Sequence, residues 1–366
     1  MTPAEILSLL FYIAIFLLSA ILLYLGKSYH KKYLLVLALM LPISLAGFRY
    51  QVGTDWAAYH QFYQEVGEET PSEVVRQIRD RESEPLMIVL GRSVALIGTG
   101  SWVIFYFYAI ITIGFMYLVI KDDKNSALLY ALFLVMVFPS SFNTMRQMAA
   151  MSVMTLLLML AFRPPNLSRA KSVTLKLTLA LLAVNLHYVS LALLPVLLLP
   201  HLVKRLGWRK LSLVLIIILI ATVSLAPLGI EGLARSGLLS KKHFGALMDR
   251  AGPMMNYHFW IYLIGAGVAA VLARWQKNRQ MALLVPIMLV ASAYAVLGFY
   301  SGYLGRIADF FWPIAIYMGW NTLKILPMRP KTQVATALVV AVVYFVLVYG
   351  WMGTNEILPY RMIFYY

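Results

Sequence analysis

Apolar residues form long, nearly uninterrupted runs that alternate with short polar loops. Continuous runs are typical of membrane-spanning helices, whereas a transmembrane β-barrel would show alternating strands of about ten residues. A full crossing needs about 20 apolar residues, and several runs are nearer 14, so short or broken helices are also expected. The runs lie at 6–24, 33–48, 102–120, 126–140, 148–162, 172–186, 188–200, 211–228, 259–273, 281–299, 308–325 and 334–351.

This pattern predicts an all-α polytopic membrane protein with about 12 transmembrane helices, within a range of about 11 to 14, in a single integral membrane domain over residues 1–366. The segment 84–98 is short and carries Arg92 in its middle, which indicates a re-entrant or interfacial helix. Residues 49–84 are expected to form an acidic outer loop. A second outer loop, 229–259, is long enough to be a lid over a site.

Composition and charge agree with this picture. The chain is 61% hydrophobic and 13% charged, with a mean hydropathy of +0.78 and a net charge of +16. In a soluble protein this excess would suggest nucleic acid, but here it is concentrated in a few loops. The positive-inside rule places these loops in the cytoplasm, so no nucleic-acid partner is expected. The basic loops are 27–32, 163–176, 201–210, 274–280 and 324–331.

Polar residues also gather at the predicted outer ends of helices, first in residues 47–63. Arg49 and Asp55 lie near membrane depth, where an unpaired charge is costly. They are interpreted either as an ion pair that fastens the loop to the helix end, or as an anion-binding arginine beside a carboxylate that can take a proton. Gly53, between them, permits a close approach of backbone.

A second cluster comprises Asn143, Arg146 and Gln147 at the start of a predicted helix. The dipole at a helix N-terminus favours anions, so an arginine there is explained by a phosphate ligand. The alternative is a structural arginine whose side chain snorkels to the outer interface.

Two further clusters complete the set. His187 and Tyr188 lie at a predicted external turn, where the histidine is either a structural residue or a proton acceptor for a substrate. Tyr303, Arg306 and Asp309 lie at a helix start, where the two charged residues can form an intrahelical pair or the arginine can bind an anion.

Three arginines from separate hairpins at one depth suit a diphosphate headgroup, which accepts bidentate guanidinium contacts without a metal. The sequence contains no phosphate-binding P-loop and no HExxH motif, so ATP hydrolysis and zinc hydrolysis have no support. The absence of cysteine excludes disulfides and thiolate catalysis. Neither a cofactor nor a metal is therefore expected.

Five segments occur in an order that resembles the EpsG-like branch of the Wzy-type polysaccharide polymerases, and together they span residues 47–310. They read FRYQVGTDWAAY, EPLMIVLG, FNTMRQMAA, NLHYVSLALL and GRIADFF. The resemblance implies polymerisation of lipid-linked oligosaccharides at the outer face of the bacterial cytoplasmic membrane, and an architecture similar to GT-C glycosyltransferases. The family motifs fall on Arg49, Gly53, Asp55 and Tyr59, then Arg146 and Gln147, then His187. Departures are Trp56 after Asp55 and Tyr188 after His187.

The hypothesis that follows is a metal-independent glycosyltransferase. An acceptor hydroxyl attacks the donor sugar on undecaprenyl diphosphate, with His187 as the favoured base and Asp55 as the second choice. Arg146 and Arg306, then Arg49, would stabilise the leaving diphosphate. The other expected substrate-binding residues are Gln147, Asn143, Gly53, Tyr59, Tyr188 and Tyr303.

Membrane lipid and a chain-length regulator are the expected partners. Two other functions remain open. A transporter of lipid-linked glycan would use the same arginines, but alternating access predicts a binding site near the midplane. A membrane O-acyltransferase would also use a histidine, but its acyl donor is cytoplasmic.

Overall fold

The computed structural model describes residues 1–80, 84–98, 100–162, 166–235, 257–275, 279–300 and 302–363. These residues are helical, apart from turns and one isolated bridge between Arg49 and Met362. The α-helices are α1 Pro3–Ser28, α2 Lys32–Gly47, α3 Trp56–Glu68, α4 Pro71–Asp80, α5 Pro85–Ile97, α6 Trp102–Ile120, α7 Ser126–Met136, α8 Met145–Phe162, α9 Arg169–Leu186, α10 Leu199–Leu206, α11 Trp208–Arg235, α12 Tyr257–Trp275, α13 Arg279–Leu297, α14 Gly302–Gly305, α15 Trp312–Leu323 and α16 Pro330–Phe345.

Shorter helical segments join several of these helices. Segments of 3₁₀-helix occupy Phe138–Phe142, Tyr188–Leu198, Arg306–Phe311 and Thr354–Glu356, and a π-helical turn, Val346–Trp351, follows α16.

The membrane class is confirmed by helix length and hydropathy. Within the described ranges, 7 helical segments are long and apolar enough to cross a membrane, and four shorter apolar helices accompany them. The chain is therefore a multi-pass membrane protein. The expected number of about 12 crossings stays a prediction, because the shorter helices, such as the 13-residue α5, extend only about 20 Å.

The chain folds as two compact units. The first unit comprises Met1–Met159, Pro165–Tyr188 and Met328–Tyr366, and the second comprises Leu160–Pro164 and Val189–Pro327. Aromatic rings fill the core of the first unit. Phe16 packs edge-on against Phe138 and Phe345, with ring centres 6.1 Å apart in each pair. The ring centres of Tyr12 and Phe142 are 5.7 Å apart.

One end of the first unit is marked by Lys27, in the last turn of α1. Its Nζ donates to the carbonyl oxygens of Lys121 and Asp123 at 2.7 and 3.2 Å, and to the hydroxyl of Ser126 at 2.5 Å. The basic loop at 27–32 and the turn at 121–125 therefore lie at the same end. The positive-inside rule assigns the basic loop at 27–32 to the cytoplasm, so the turn at 121–125 is expected on the same side.

The opposite end contains the segments that follow α2 and α7. Here the C-terminal residues return to the loop after α2: the amide of Tyr50 donates to the carbonyl of Arg361, and that of Ile363 to the carbonyl of Phe48, each at 2.9 Å. Because α2 and α7 both start at the Lys27 end, Arg49 lies at the end that the positive-inside rule assigns to the exterior.

The predicted loops contain helices. Residues 49–84 include α3 and α4. Arg92 in α5 connects that helix to the end of α3, because its Nη1 donates to the carbonyl of Val66 at 3.1 Å and to that of Gly67. The segment 84–98 contains the short helix α5, bounded by Gly98 in a left-handed conformation. The predicted lid, 229–259, overlaps the end of α11 and the start of α12, and its residues 236–256 lie outside the described residues.

In the second unit, α12 and α13 form an antiparallel hairpin that packs on α11 and on the segment Arg306–Phe311. Tyr262 in α12 is fully buried, and its hydroxyl donates to the carbonyl of Ala308 at 2.8 Å. The ring of Tyr294 in α13 stacks on that of Phe311, with the ring centres 6.1 Å apart and the planes inclined by 24°. These contacts hold the segment that carries Arg306.

Candidate active site

A buried carboxylate joins two of the residues predicted to form the site. Glu84 is 5% exposed, and its Oε1 lies 2.7 Å from Nδ1 of His187. Its other oxygen, Oε2, forms an ion pair with Nη1 of Arg146. Arg146 and His187 were predicted from separate segments of the sequence, and all three residues belong to the first unit.

Three helix ends hold these side chains. Glu84 precedes Pro85, the first residue of α5, and its carbonyl accepts the amides of the first turn. A carboxylate at this position is favoured by the helix dipole. Arg146 is the second residue of α8. His187 caps the end of α9 in an extended conformation, with φ −160° and ψ 118°.

The electrostatics of Glu84 reflect two opposing effects. Burial acts to raise the pKa of its carboxyl group, whereas the hydrogen bond from His187 and the charge of Arg146 act to lower it. The partners outweigh burial, and the pKa falls from 4.5 to about 2. Glu84 is therefore ionised at neutral pH.

Aromatic rings connect this carboxylate to a second arginine. The guanidinium of Arg146 lies 5.5 Å from the centre of the Tyr59 ring. Tyr59 packs edge-on against Phe105 at 6.4 Å, and the guanidinium of Arg49 lies 4.3 Å from the centre of the Phe105 ring. The same guanidinium lies 5.2 Å from the centre of the Phe142 ring. We call Arg49, Tyr59, Glu84, Arg146 and His187 the outer cluster.

Arg49 is a fully buried cation. It is 1% exposed, and its Nη1 donates to the carbonyl of Ala46 at 2.7 Å. Among the described residues, its Nε and Nη2 have no hydrogen-bond partner, and it forms no ion pair with Asp55. Burial lowers the pKa of Arg49 to about 10, so it remains charged at neutral pH.

The outer cluster carries an excess of positive charge. Arg49 and Arg146 contribute two positive charges and Glu84 one negative charge. Arg146 keeps 26% of its side chain exposed, and its buried Nε has no hydrogen-bond partner among the described residues. The cluster therefore offers a partly open guanidinium next to a buried one, an arrangement that attracts anions.

Gly53 supports this end of the first unit. Its φ is +93°, a region that favours glycine, and an added Cβ would collide with the carbonyl oxygen of Phe142. Its amide donates to the carbonyl of Glu356 at 3.1 Å. A close approach of backbone thus does occur at Gly53, between segments of this chain.

Asn143 also connects segments of the chain. Its Oδ1 accepts a hydrogen bond from the hydroxyl of Thr54, and its Nδ2 donates to Oδ1 of Asn355 at 3.2 Å. Gln147 is buried, at 2% exposure, one residue after Arg146. Both residues lie near the start of α8, and these two hydrogen bonds of Asn143 link segments within the chain.

Asp55, the second candidate base, occupies a different place. It precedes α3, it is half-buried, and its carbonyl accepts the amide of Tyr59 at 3.0 Å. The electrostatic partners of Glu84 are Arg146 and His187, and Asp55 is not among them. The geometry thus associates His187, rather than Asp55, with the arginine predicted to bind the diphosphate.

The fourth predicted cluster lies in the second unit. Arg306 is exposed at the start of its 3₁₀ segment. Oδ1 of Asp309 lies 3.6 Å from Nδ1 of His258, whose Nε2 accepts a hydrogen bond from Trp312 at 3.2 Å. The side chain of Tyr303 lies outside the described residues.

Tyr188, the first residue of the segment Tyr188–Leu198, directly follows His187 and is half-buried. It therefore lies next to the outer cluster along the chain.

Sequence reasoning missed Glu84. Glu84 had no role of its own there: it ended the acidic loop 49–84 and began both the segment 84–98 and the motif EPLMIVLG. A signal did exist, because Arg146 and His187 both lacked an anionic partner at membrane depth. A carboxylate directly before an apolar helix was a candidate for that partner.

Comparison with known proteins gives one family. A model described as the EpsG family matches residues 32–362, which is most of the chain. The matched region includes every residue of the outer cluster and Arg306. No curated protein and no solved structure matches the chain.

Proposed function

Because this chain belongs to the EpsG family, which is associated with exopolysaccharide biosynthesis, we propose that it is a Wzy-type polysaccharide polymerase. It transfers a growing glycan from undecaprenyl diphosphate to a lipid-linked oligosaccharide at the outer face of the bacterial cytoplasmic membrane. One observation carries the proposal: Arg146 and His187 meet at the buried carboxylate of Glu84. Arg146, as the cation for the leaving group, and His187, as the acid–base residue, thus lie on either side of the same carboxylate.

The reaction forms a bond between an acceptor hydroxyl oxygen and the anomeric carbon of the donor. The bond between that carbon and the diphosphate oxygen breaks, and the electron pair leaves with the diphosphate. His187 takes the proton of the acceptor hydroxyl. Because negative charge develops on the leaving group, fixed positive charge near it lowers the barrier.

The two arginines of the outer cluster act differently in this proposal. Arg146 is partly exposed and retains donors, so it contacts the diphosphate. Arg49 is sealed from solvent and acts through its electric field, which is weakly screened in a buried environment. Arg306 is the candidate for further contacts with a lipid-linked substrate.

The position of the outer cluster supports an outward-facing site. It lies at the end of the first unit opposite to Lys27 and its basic loop, which the positive-inside rule assigns to the cytoplasm. The proposal includes an architecture of the GT-C type with about 12 crossings. Tyr59, Tyr188, Tyr303, Asn143, Gln147 and Gly53 remain candidates for shaping the glycan site, and a chain-length regulator is a candidate partner.

The test is polymerisation in proteoliposomes supplied with lipid-linked oligosaccharide. Arg146→Lys and His187→Gln should each lower the rate of chain growth by about 100-fold or more, as expected for loss of the bidentate guanidinium contacts to the diphosphate or loss of the acid–base group. His60→Gln and Arg361→Lys are the controls. His60 contacts Ser101 at 2.9 Å and Arg361 is exposed, so neither belongs to the outer cluster.

Wild-type chain growth in Arg146→Lys or His187→Gln would overturn this assignment of residues. Movement of lipid-linked oligosaccharide across the bilayer without polymer formation would instead favour the transporter. Incorporation of acyl groups from a cytoplasmic donor would favour the acyltransferase.

A further inference from the structure

Glu84 has no role in the reaction as written so far, yet it touches both residues that do. It is buried and ionised, and each of its oxygens is engaged by a different partner. An ionised carboxylate at 5% exposure is costly to keep in a fold unless its partners compensate it. Glu84 could serve only to hold the start of α5 against the start of α8 and the end of α9, or it could also act on the chemistry of its two partners.

The atom of His187 that Glu84 engages is informative. A carboxylate only accepts hydrogen bonds, so the Nδ1 at 2.7 Å must carry the proton. In the neutral ring, Nε2 is then the unprotonated nitrogen. Glu84 therefore selects the tautomer in which Nε2 is able to accept a proton.

The second oxygen of Glu84 sets the charge balance. When His187 is neutral, the ion pair of Glu84 with Arg146 has no net charge. When Nε2 takes a proton, the imidazolium lies directly against the same carboxylate, which stabilises it. The carboxylate itself stays ionised, and the proton returns from Nε2 to solvent or to the released diphosphate.

We propose that Glu84 is a positioning residue of the polymerase: it fixes the Nδ1–H tautomer of His187 and holds Arg146 beside that histidine. The proposal rests on the proposed function for its kinetic consequence, but not for the tautomer. The arrangement explains why a carboxylate is placed at the start of α5, between the start of α8 and the end of α9.

The kinetic test is a double-mutant cycle in proteoliposomes with Glu84→Gln, His187→Gln and the double variant. Glu84→Gln should lower kcat by on the order of 10²-fold and change KM less than about threefold, because it removes stabilisation of the imidazolium formed during reaction. In the His187→Gln background, the same substitution should have almost no further effect on kcat. Glu84→Asp, which retains the charge, should recover part of the rate.

A purely structural role predicts a different result. The loss in kcat from Glu84→Gln would then be the same with and without His187, and this outcome would overturn the proposal. Glu65→Gln is the matched control, because Glu65 is exposed in α3 and contacts the side chain of Gln61.

The tautomer is measured independently of activity. In histidine-labelled wild-type protein, the nitrogen chemical shifts of His187, assigned with His187→Gln, should report a protonated Nδ1. Glu84→Leu should shift the ring towards the Nε2–H form. A protonated Nε2 in the neutral wild-type ring would contradict the proposal even if the protein polymerises glycan. If the tautomer is as expected but no polymer forms, the proposed function fails instead.

Discussion

The ion pair at Glu84 makes a quantitative prediction about stability. The pKa of its carboxyl group falls from 4.5 to about 2 in the folded protein, a difference of about 2.5 units. At about 1.4 kcal/mol per unit, the folded state is stabilised by about 3 kcal/mol relative to a neutral carboxyl group. Glu84→Gln mimics the neutral group and leaves the partly exposed Arg146 without its counter-ion. We therefore expect it to lower the free energy of unfolding by about 3 kcal/mol at pH 7.

The sign of the pH dependence follows from the direction of the shift. Because the pKa is lowered on folding, this stabilisation is fully present above pH 4.5 and is lost as the pH falls towards 2. Unfolding is measured by titration of mixed micelles with a denaturing detergent at several pH values. The difference between wild type and Glu84→Gln should shrink across that interval, whereas Glu65→Gln should stay within about 0.5 kcal/mol of wild type throughout.

A double variant tests the origin of the effect. If Arg146 is the main counter-ion, Glu84→Gln combined with Arg146→Gln should be less destabilised than the sum of the two single variants. A Glu84→Gln protein within about 0.5 kcal/mol of wild type at pH 7 would refute the reasoning. A difference that did not change between pH 4.5 and 2 would refute the attribution to charge.

Two other predictions use the same end of the first unit. Gly53→Ala should lower the free energy of unfolding by about 2 kcal/mol or more, since φ is +93° and the Cβ meets the carbonyl of Phe142; an unchanged unfolding transition would contradict this. Arg49→Met should leave the free energy of unfolding within about 1 kcal/mol of wild type, because the lost ring and carbonyl contacts are offset by removal of a buried charge. The same variant should reduce polymer yield about tenfold or more on a glycan gel if its field acts on the diphosphate, and full yield would remove Arg49 from the mechanism.

The class of fold was predictable because it depends on local composition. Runs of apolar residues dictate helices in a bilayer, and the runs at 6–24 and 102–120 fall inside α1 and α6. The bounds of the helices and the breaks within them were harder to predict. The predicted run at 188–200 is a 3₁₀ segment followed by α10, and the run at 308–325 is likewise split by a change of helix type before α15. Such changes depend on tertiary packing, which a hydropathy pattern does not contain.

The candidate site was predictable only where one residue was unusual in its own segment. Arg49, Arg146 and His187 are polar residues at the ends of apolar runs, and each is conspicuous by itself. Their arrangement was not predictable, because it depends on which helix ends meet. The pairing of Arg49 with Asp55 and that of Arg306 with Asp309 both looked natural from sequence spacing. The structure stacks Arg49 on aromatic rings, and it also places Asp309 beside His258, a residue far away in the sequence.

Glu84 shows why charge balance is a better guide than sequence spacing in such a protein. It is one of eight acidic residues between positions 49 and 84, and a segment of this composition is typical of a solvated loop. A partly buried arginine and a partly buried histidine, however, each require an acceptor for the donors that they turn into the fold. For Arg146 and His187 that acceptor is the single carboxylate of Glu84. Removing its negative charge therefore changes the environment of both the cation and the base. The remaining cation, Arg49, has no carboxylate in its described surroundings, which leaves one positive charge in the outer cluster for an anionic substrate to balance.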